Sequence, residues 1–160
     1  IVSSDGTDAI IPIATTSVAG VMSKAIFDEH VLNNAKATDV NSIVMSKTCT
    51  DLWSPKTLRG SQGVQFSLQC AVEQDLNEWI LDYNYEVMAL TMTGESIFKK
   101  TLNLNMAILV GNEGKGISES VLKNIAGTLS LPMNKNVESI NVGAAASAFM
   151  YEHYRQFGAD

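Results

Sequence analysis

Ala107-Ile108-Leu109-Val110-Gly111-Asn112-Glu113-Gly114-Lys115-Gly116-Ile117-Ser118 is the stretch from which the rest of this 160-residue chain is read. Its first four residues are a continuous apolar run ending at a glycine, as in a parallel strand buried on both faces. Three glycines within the next six residues permit positive φ angles and let a ligand approach the backbone closely. Ligands of open α/β sheets bind beyond the carboxyl ends of strands, which is where this turn falls. The phosphate-cradling patterns GxxxxGK[ST] and GxGxxG are both absent. Taken alone, the segment reads equally as a tight connection or as a ligand loop.

Downstream, Leu129–Leu131 reads as a short strand before Pro132, and a polar loop then leads into a long helix over Ile140–Gln156. Ser139 suits the N-cap of that helix, and Asn141 in its first turn would satisfy backbone groups. Gly143–Ala148 gives the helix a small-residue face, fit for core packing or for a tight helix–helix dimer contact. Upstream, Val18–Met22, Ser42–Met45 and Glu86–Met92 read as strands and Ile26–Ala37 as a helix. Ser54 followed by Pro55 predicts a capped helix over Ser54–Ser61. The alternation of Gln65–Cys70 predicts a strand, the helical spacing of apolar residues in Val72–Tyr83 a helix, and Ser118–Ile125 another. Residues 1–16 read as an extended lead-in.

This βα alternation with short connections implies an α/β fold: a Rossmann-like, mostly parallel sheet with helices on both faces. No internal repeat or low-complexity segment divides the chain, so residues 1–160 are expected to form a single domain. The composition is 46% hydrophobic and 18% charged, enough for one sizeable core. No apolar run is long enough to span a bilayer, and no cationic start precedes an apolar signal core, so a cytoplasmic location and no membrane partner are expected. Cys49 and Cys70 lack metal-finger spacing and read as free thiols. Two histidines without an HExxH-like cluster give no expectation of a metal. The net charge of −6 opposes non-specific nucleic-acid binding, so an RNA-directed protein of this composition needs a local basic patch, a second subunit or another domain.

The combination of segments is more specific than its parts. LVGNEGKGIS, then LPMN, then ESINVGAAASAFMYEHYRQ resembles the second and third motifs of the SpoU-type (TrmH-like) RNA ribose 2′-O-methyltransferases. Trp53–Gly63 is similar to the middle segment of that family, and the resemblance runs over about Ser42–Phe157.

The resemblance implies a C-terminal trefoil knot, a homodimer packed through the closing helix, and methyl transfer from S-adenosylmethionine to a ribose 2′-hydroxyl of tRNA or rRNA. It implies a cofactor site at Leu109, Gly111, Asn112, Gly114, Gly116, Ile117, Leu131, Met133, Ile140 and Val142. It assigns Glu113 and Asn141, helped by Ser139, to the catalytic site. Arg59 and Lys56 are the candidate RNA contacts. The family's first motif, D-P-x-N with an Arg in the helix that follows, is not matched: Lys24-Ala25-Ile26-Phe27 stands in its place and Asn33 where the Arg belongs. Asn is neutral and does not usefully accept a proton. His30 and Lys36 are the remaining polar candidates there, although a solvated helix face explains both more readily. Three readings follow: an active RNA 2′-O-methyltransferase with an altered first motif, a degenerate relative that binds the cofactor or a dimer partner without transferring methyl, and an α/β domain whose glycine loop serves another ligand.

Overall fold

The computed structural model describes residues 19–22, 29–46, 49, 51–111 and 116–158. Six strands, β1 (Ala19–Met22), β2 (Ser42–Ser46), β3 (Gln69–Gln74), β4 (Glu86–Ser96), β5 (Met106–Val110) and β6 (Gly127–Ser130), form one sheet in the order β3-β2-β1-β5-β4-β6. Every pairing is parallel. Five helices connect or flank them: α1 (Glu29–Ala37), α2 (Pro55–Gly60), α3 (Leu76–Asp82), α4 (Glu119–Leu122) and α5 (Val142–Phe157).

The period of two along each strand explains why both faces are covered. Met106, Ile108 and Val110 of β5, with Ile43 and Met45 of β2, pack against Val31, Leu32 and Ala35 of α1 and Ala146, Phe149 and Met150 of α5. The intervening Ala107 and Leu109, with Val44, Val87 and Ala89, face Ile80 of α3 and Val121 of α4. All five residues of β5 are buried, as expected for a central parallel strand. Ile108, Leu109 and Val110 each contribute on the order of 1.5–3 kcal/mol by leaving water. The helices thus lie on both sides of a parallel sheet, as the βα alternation predicts.

Several boundaries differ from the pattern-based reading, each for a local reason. Val64–Ser67 is a 3-10 turn rather than the start of a strand, and β3 begins only at Gln69. Gly63 opens that turn at φ 76°, and Gln65 is drawn inward by bonds with the Ser61 hydroxyl and the Leu52 carbonyl. Val72–Gln74 belongs to β3 rather than to a helix. Asp75 accepts from the backbone N–H of Asn77 at 2.9 Å and from that of Glu78, which starts α3 at Leu76. α4 is a single turn because the Ala126 amide donates to the Val87 carbonyl (2.8 Å) and pulls the chain into β6. That strand consequently runs one to two residues earlier than its apolar pattern indicates.

Lys24–Phe27 and the lead-in over residues 1–16 lie outside the described residues. Asn33 is half-buried on α1, and Lys36 is exposed near its end. No helix among the described residues is long and apolar enough to cross a membrane.

Candidate functional site

The middle of β4, the carboxyl ends of β5 and β6 and the start of α5 converge on a cleft of about 350 Å³. β4 supplies Leu90, Thr91 and Met92; Gly111, Gly116 and Ile117 follow β5; Leu131 and Met133 follow β6. Ser139, Ile140, Val142 and Ala145 close it from the entry to α5. The volume lies within the range of small-molecule sites, and the wall is apolar with two side-chain hydroxyls, Thr91 and Ser139. None of its described lining residues is ionisable.

Backbone geometry explains the glycines. A Cβ on Gly111 would lie 2.7 Å from the Gly116 carbonyl carbon and 2.7 Å from Ile117 Cγ1, so Gly111 packs directly against Gly116 and Ile117. Gly116 has φ +64°, the left-handed region that residues with a Cβ avoid. Opposite, β4 leaves register with β6 between Leu90 and Glu95, and this irregularity brings Thr91 and Met92 into the wall. Gly94 makes the excursion possible, since a Cβ there would meet the Thr128 carbonyl oxygen at 2.6 Å.

At the fourth wall, the N-cap of α5 is Asn141, not Ser139. The Asn141 carboxamide oxygen accepts from the Ala144 amide at 3.1 Å, and the helix begins at Val142. Ser139 is thereby two residues clear of the cap and lines the cleft. α5 is anchored to the rest of the fold at two points and braced within itself at a third. Asn34 Nδ2 donates to the Ser147 hydroxyl at 2.8 Å. The Gln156 carboxamide accepts from the Leu102 amide and donates to the Lys100 carbonyl. Glu152, buried, receives a two-point bond from Arg155 and a third from Gln156, which hold its carboxyl below the usual value. The small-residue face is used within the chain, with Gly143 and Ala146 buried; Ala144, Tyr151 and Arg155 remain exposed on the outer side of α5.

Of the residues expected from sequence, Gly111, Gly116, Ile117, Leu131, Met133, Ser139, Ile140 and Val142 come together on this cleft. Leu109 does not: it is 1% exposed, in the core beneath, because it points to the α3 and α4 side of β5. Asn141 is not in the lining either; its side chain caps α5. Asn112, Glu113 and Gly114 lie outside the described residues. Lys56 and Arg59 are exposed on α2 and make no ion pair among the described residues. Leu90, Thr91, Met92 and Ala145 were not anticipated. The signal available for Thr91 and Met92 was the nearby Gly94, within the part of β4 that leaves register.

Elsewhere, burial raises the thiol of Cys70 to about 11 and raises that of Cys49, so neither offers a thiolate near neutral pH. No group of three or more potential metal-binding side chains occurs among the described residues.

Residues 30–151 match the model of the SpoU rRNA Methylase family. An uncharacterised tRNA/rRNA methyltransferase of Synechocystis is 29% identical over 79% of this chain and 47% of its own length. A 23S rRNA guanosine 2′-O-methyltransferase of Bacillus subtilis is 26% identical over 76% of this chain and 50% of its own. The chain thus spans about half the length of these relatives. The SpoU methyltransferase AviRb of Streptomyces viridochromogenes, solved in complex with AdoMet, superposes with a TM-score of 0.81 at 23% identity, over 91% of this chain and 60% of that one. An AdoMet-bound rRNA methyltransferase of Sinorhizobium meliloti gives 0.80 at 18%, over 89% and 57%. With the family model matched from the first turn of α1 to beyond the middle of α5, this chain belongs to the SpoU rRNA methylase family.

Proposed function

We propose that this chain transfers a methyl group from S-adenosylmethionine to a ribose 2′-hydroxyl of tRNA or rRNA in the cytoplasm. The observation that carries the proposal is the convergence of eight expected residues, from three separate segments, on one cleft at the carboxyl ends of β5 and β6. Family membership and the cofactor-bound relatives support it.

The cleft fits such a cofactor. Gly111 and Gly116 present bare backbone to the cleft, so a ligand can lie against main chain. Ile117, Leu131, Met133, Ile140 and Val142 offer an apolar wall to a purine ring, and the Thr91 and Ser139 hydroxyls suit its polar edges. No cationic side chain in the described lining opposes a sulfonium. When bound, S-adenosylmethionine supplies an electrophilic methyl group. The chain's own work is to hold the ribose hydroxyl in line and to take its proton, since a hydroxyl is a poor nucleophile at neutral pH. Glu113 is assigned to that task. Asn141, by capping α5, positions Ser139, Ile140 and Val142. Lys56 and Arg59 are assigned to RNA phosphates. The exposed side of α5, with Ala144 and Tyr151, is assigned to a homodimer contact, and a trefoil knot to the C-terminal segment on resemblance alone.

One observation favours a second reading, that of a cofactor binder without transfer. Asn33 occupies the position of the family's Arg, and no arginine precedes Arg59. Calorimetric titration with S-adenosylmethionine and S-adenosylhomocysteine, followed by radiolabelled methyl transfer to bulk tRNA and rRNA, separates the two. Saturable binding that disappears in Ile140→Asp, a half-exposed cleft position, is expected. Transfer to RNA identifies the enzyme, and binding without transfer the second reading. No binding at millimolar cofactor would refute both.

A further inference from the structure

Trp53 and Phe66 form a ring pair on the surface with no role in the cleft. Their centroids are 5.4 Å apart with planes tilted by 47°. Phe66 is 75% exposed and Trp53 48%, although large aromatic side chains gain most by being covered. The pair is built rather than incidental, because each ring is the sequence neighbour of a buried anchor. Leu52 is 1% exposed and Gln65 2%, and the Gln65 carboxamide reaches the Leu52 carbonyl. That bond ties the turn bearing Phe66 to the loop bearing Trp53. The Trp53 amide donates to the Asp51 carboxylate at 2.9 Å, Ser54 caps α2, and Gly63 at φ +76° sets the Phe66 ring above it.

The charge around the pair is reversed relative to the chain. Between Asp51 and Glu73 the only ionisable charges are Lys56 and Arg59, whereas the whole chain carries −6. Both are exposed on α2, between the two rings in sequence. α1, which packs against α2 and the Phe66 turn, carries Glu29 and Lys36 and so adds no net charge. The nearby acid, Asp51, is turned to the Trp53 backbone.

From these observations we infer that Trp53 and Phe66 are a stacking platform for unpaired bases of the substrate RNA, with Lys56 and Arg59 holding the adjoining phosphates. Exposed aromatics interleaved with cations are the chemistry of single-strand recognition, because every base has a π face whereas a duplex hides its bases in the stack. The inference rests on the RNA-directed reading of the cleft and adds to it a preference for a single-stranded segment. Duplex RNA presents phosphates to the same cations without bases for the rings.

The test uses a Trp79→Phe background, in which Trp53 is the sole tryptophan and reports stacking by its emission. A short oligouridylate is expected to quench that emission saturably at low salt, and an RNA duplex of equal length to leave it unchanged. Removing either ring, in Trp53→Ala with the native Trp79 or in Phe66→Ala, is expected to weaken oligouridylate binding about tenfold in electrophoretic shift. Phe66→Tyr is expected to retain it and Phe66→Leu to lose it. Arg59→Gln is expected to reduce the salt slope by about 0.7. Unquenched emission, or unchanged affinity in the double Trp53→Ala, Phe66→Ala variant, would overturn the platform. A change in sedimentation mass without a change in RNA affinity would mark a protein contact and overturn it as well. Cofactor binding and methyl transfer are followed in the same variants. Transfer at unchanged KM sinks the platform alone, whereas a wild-type chain that transfers nothing to RNA sinks the reading beneath it.

Discussion

Gly111→Ala is the sharpest perturbation of the cleft, because it adds one methyl group where the backbone leaves none of the necessary space. The new Cβ would stand 2.7 Å from the Gly116 carbonyl carbon and 2.9 Å from the Ile117 amide nitrogen. Carbon–carbon contacts are comfortable at about 3.5–4.0 Å, so the overlap is roughly 1 Å and falls on main chain. Gly116 and Ile117 must therefore shift out of place in the wall. Overpacking of this kind costs about 1–3 kcal/mol. At about 2–4 °C per kcal/mol for a chain of this size, the melting temperature should fall by roughly 2–12 °C. Two companion substitutions isolate the cause. Gly116→Ala meets nothing within 4 Å and incurs only the left-handed penalty of about 1–2 kcal/mol. Gly127→Ala meets only the flexible end of Met88 at 3.3 Å and should be nearly neutral. Calorimetry with S-adenosylmethionine should show binding weakened at least tenfold in Gly111→Ala and unchanged in Gly127→Ala. If Gly111→Ala melts with wild type and binds the cofactor equally well, Gly111 does not pack directly against Gly116 and Ile117 and the reasoning fails.

Two further expectations concern α5. Asn141→Ala removes the N-cap and should lower stability by about 1 kcal/mol, while Asn141→Ser restores the cap and the melting temperature. Methyl transfer that stays low in a fully stable Asn141→Ser would show a task for the carboxamide beyond capping. His153 is buried on α5 with its Nε2 at 3.1 Å from the Asn103 carbonyl, and burial lowers its pKa from the ordinary 6.5. A lowered histidine pKa means the unfolded chain binds the proton more readily, so its stabilising effect is complete above pH 6.5 and is lost as the pH falls through the folded value. Stability from urea titrations should therefore fall more steeply with descending pH for wild type than for His153→Gln just below pH 6.5; parallel curves would remove His153 from the acid response.

The sheet was legible where one pattern admits one structure. An apolar run as short and unbroken as Met106–Val110 satisfies both faces of a parallel strand at once, and all five of its residues are buried. Gln65 shows where such reading stops. Its place in an alternating run suggests a strand, yet bonds to Ser61 and Leu52, the latter thirteen positions away, fix a turn instead. Thr91 and Met92 enter the cleft through a register shift against β6 that depends on the approach of Gly94 to Thr128, a contact between distant segments. The largest consequence comes from two residues at the start of α5. Serine and asparagine cap helices about equally well, so local preference alone does not choose between Ser139 and Asn141. Tertiary packing chooses Asn141, engaging its carboxamide at Ala144 and leaving the Ser139 hydroxyl in the wall of the cleft. Had the helix begun two residues earlier, the hydroxyl would serve the backbone and the carboxamide would be the group to consider for substrate. The division of labour between these two side chains is therefore set by where α5 starts, and that start is a property of the packed fold.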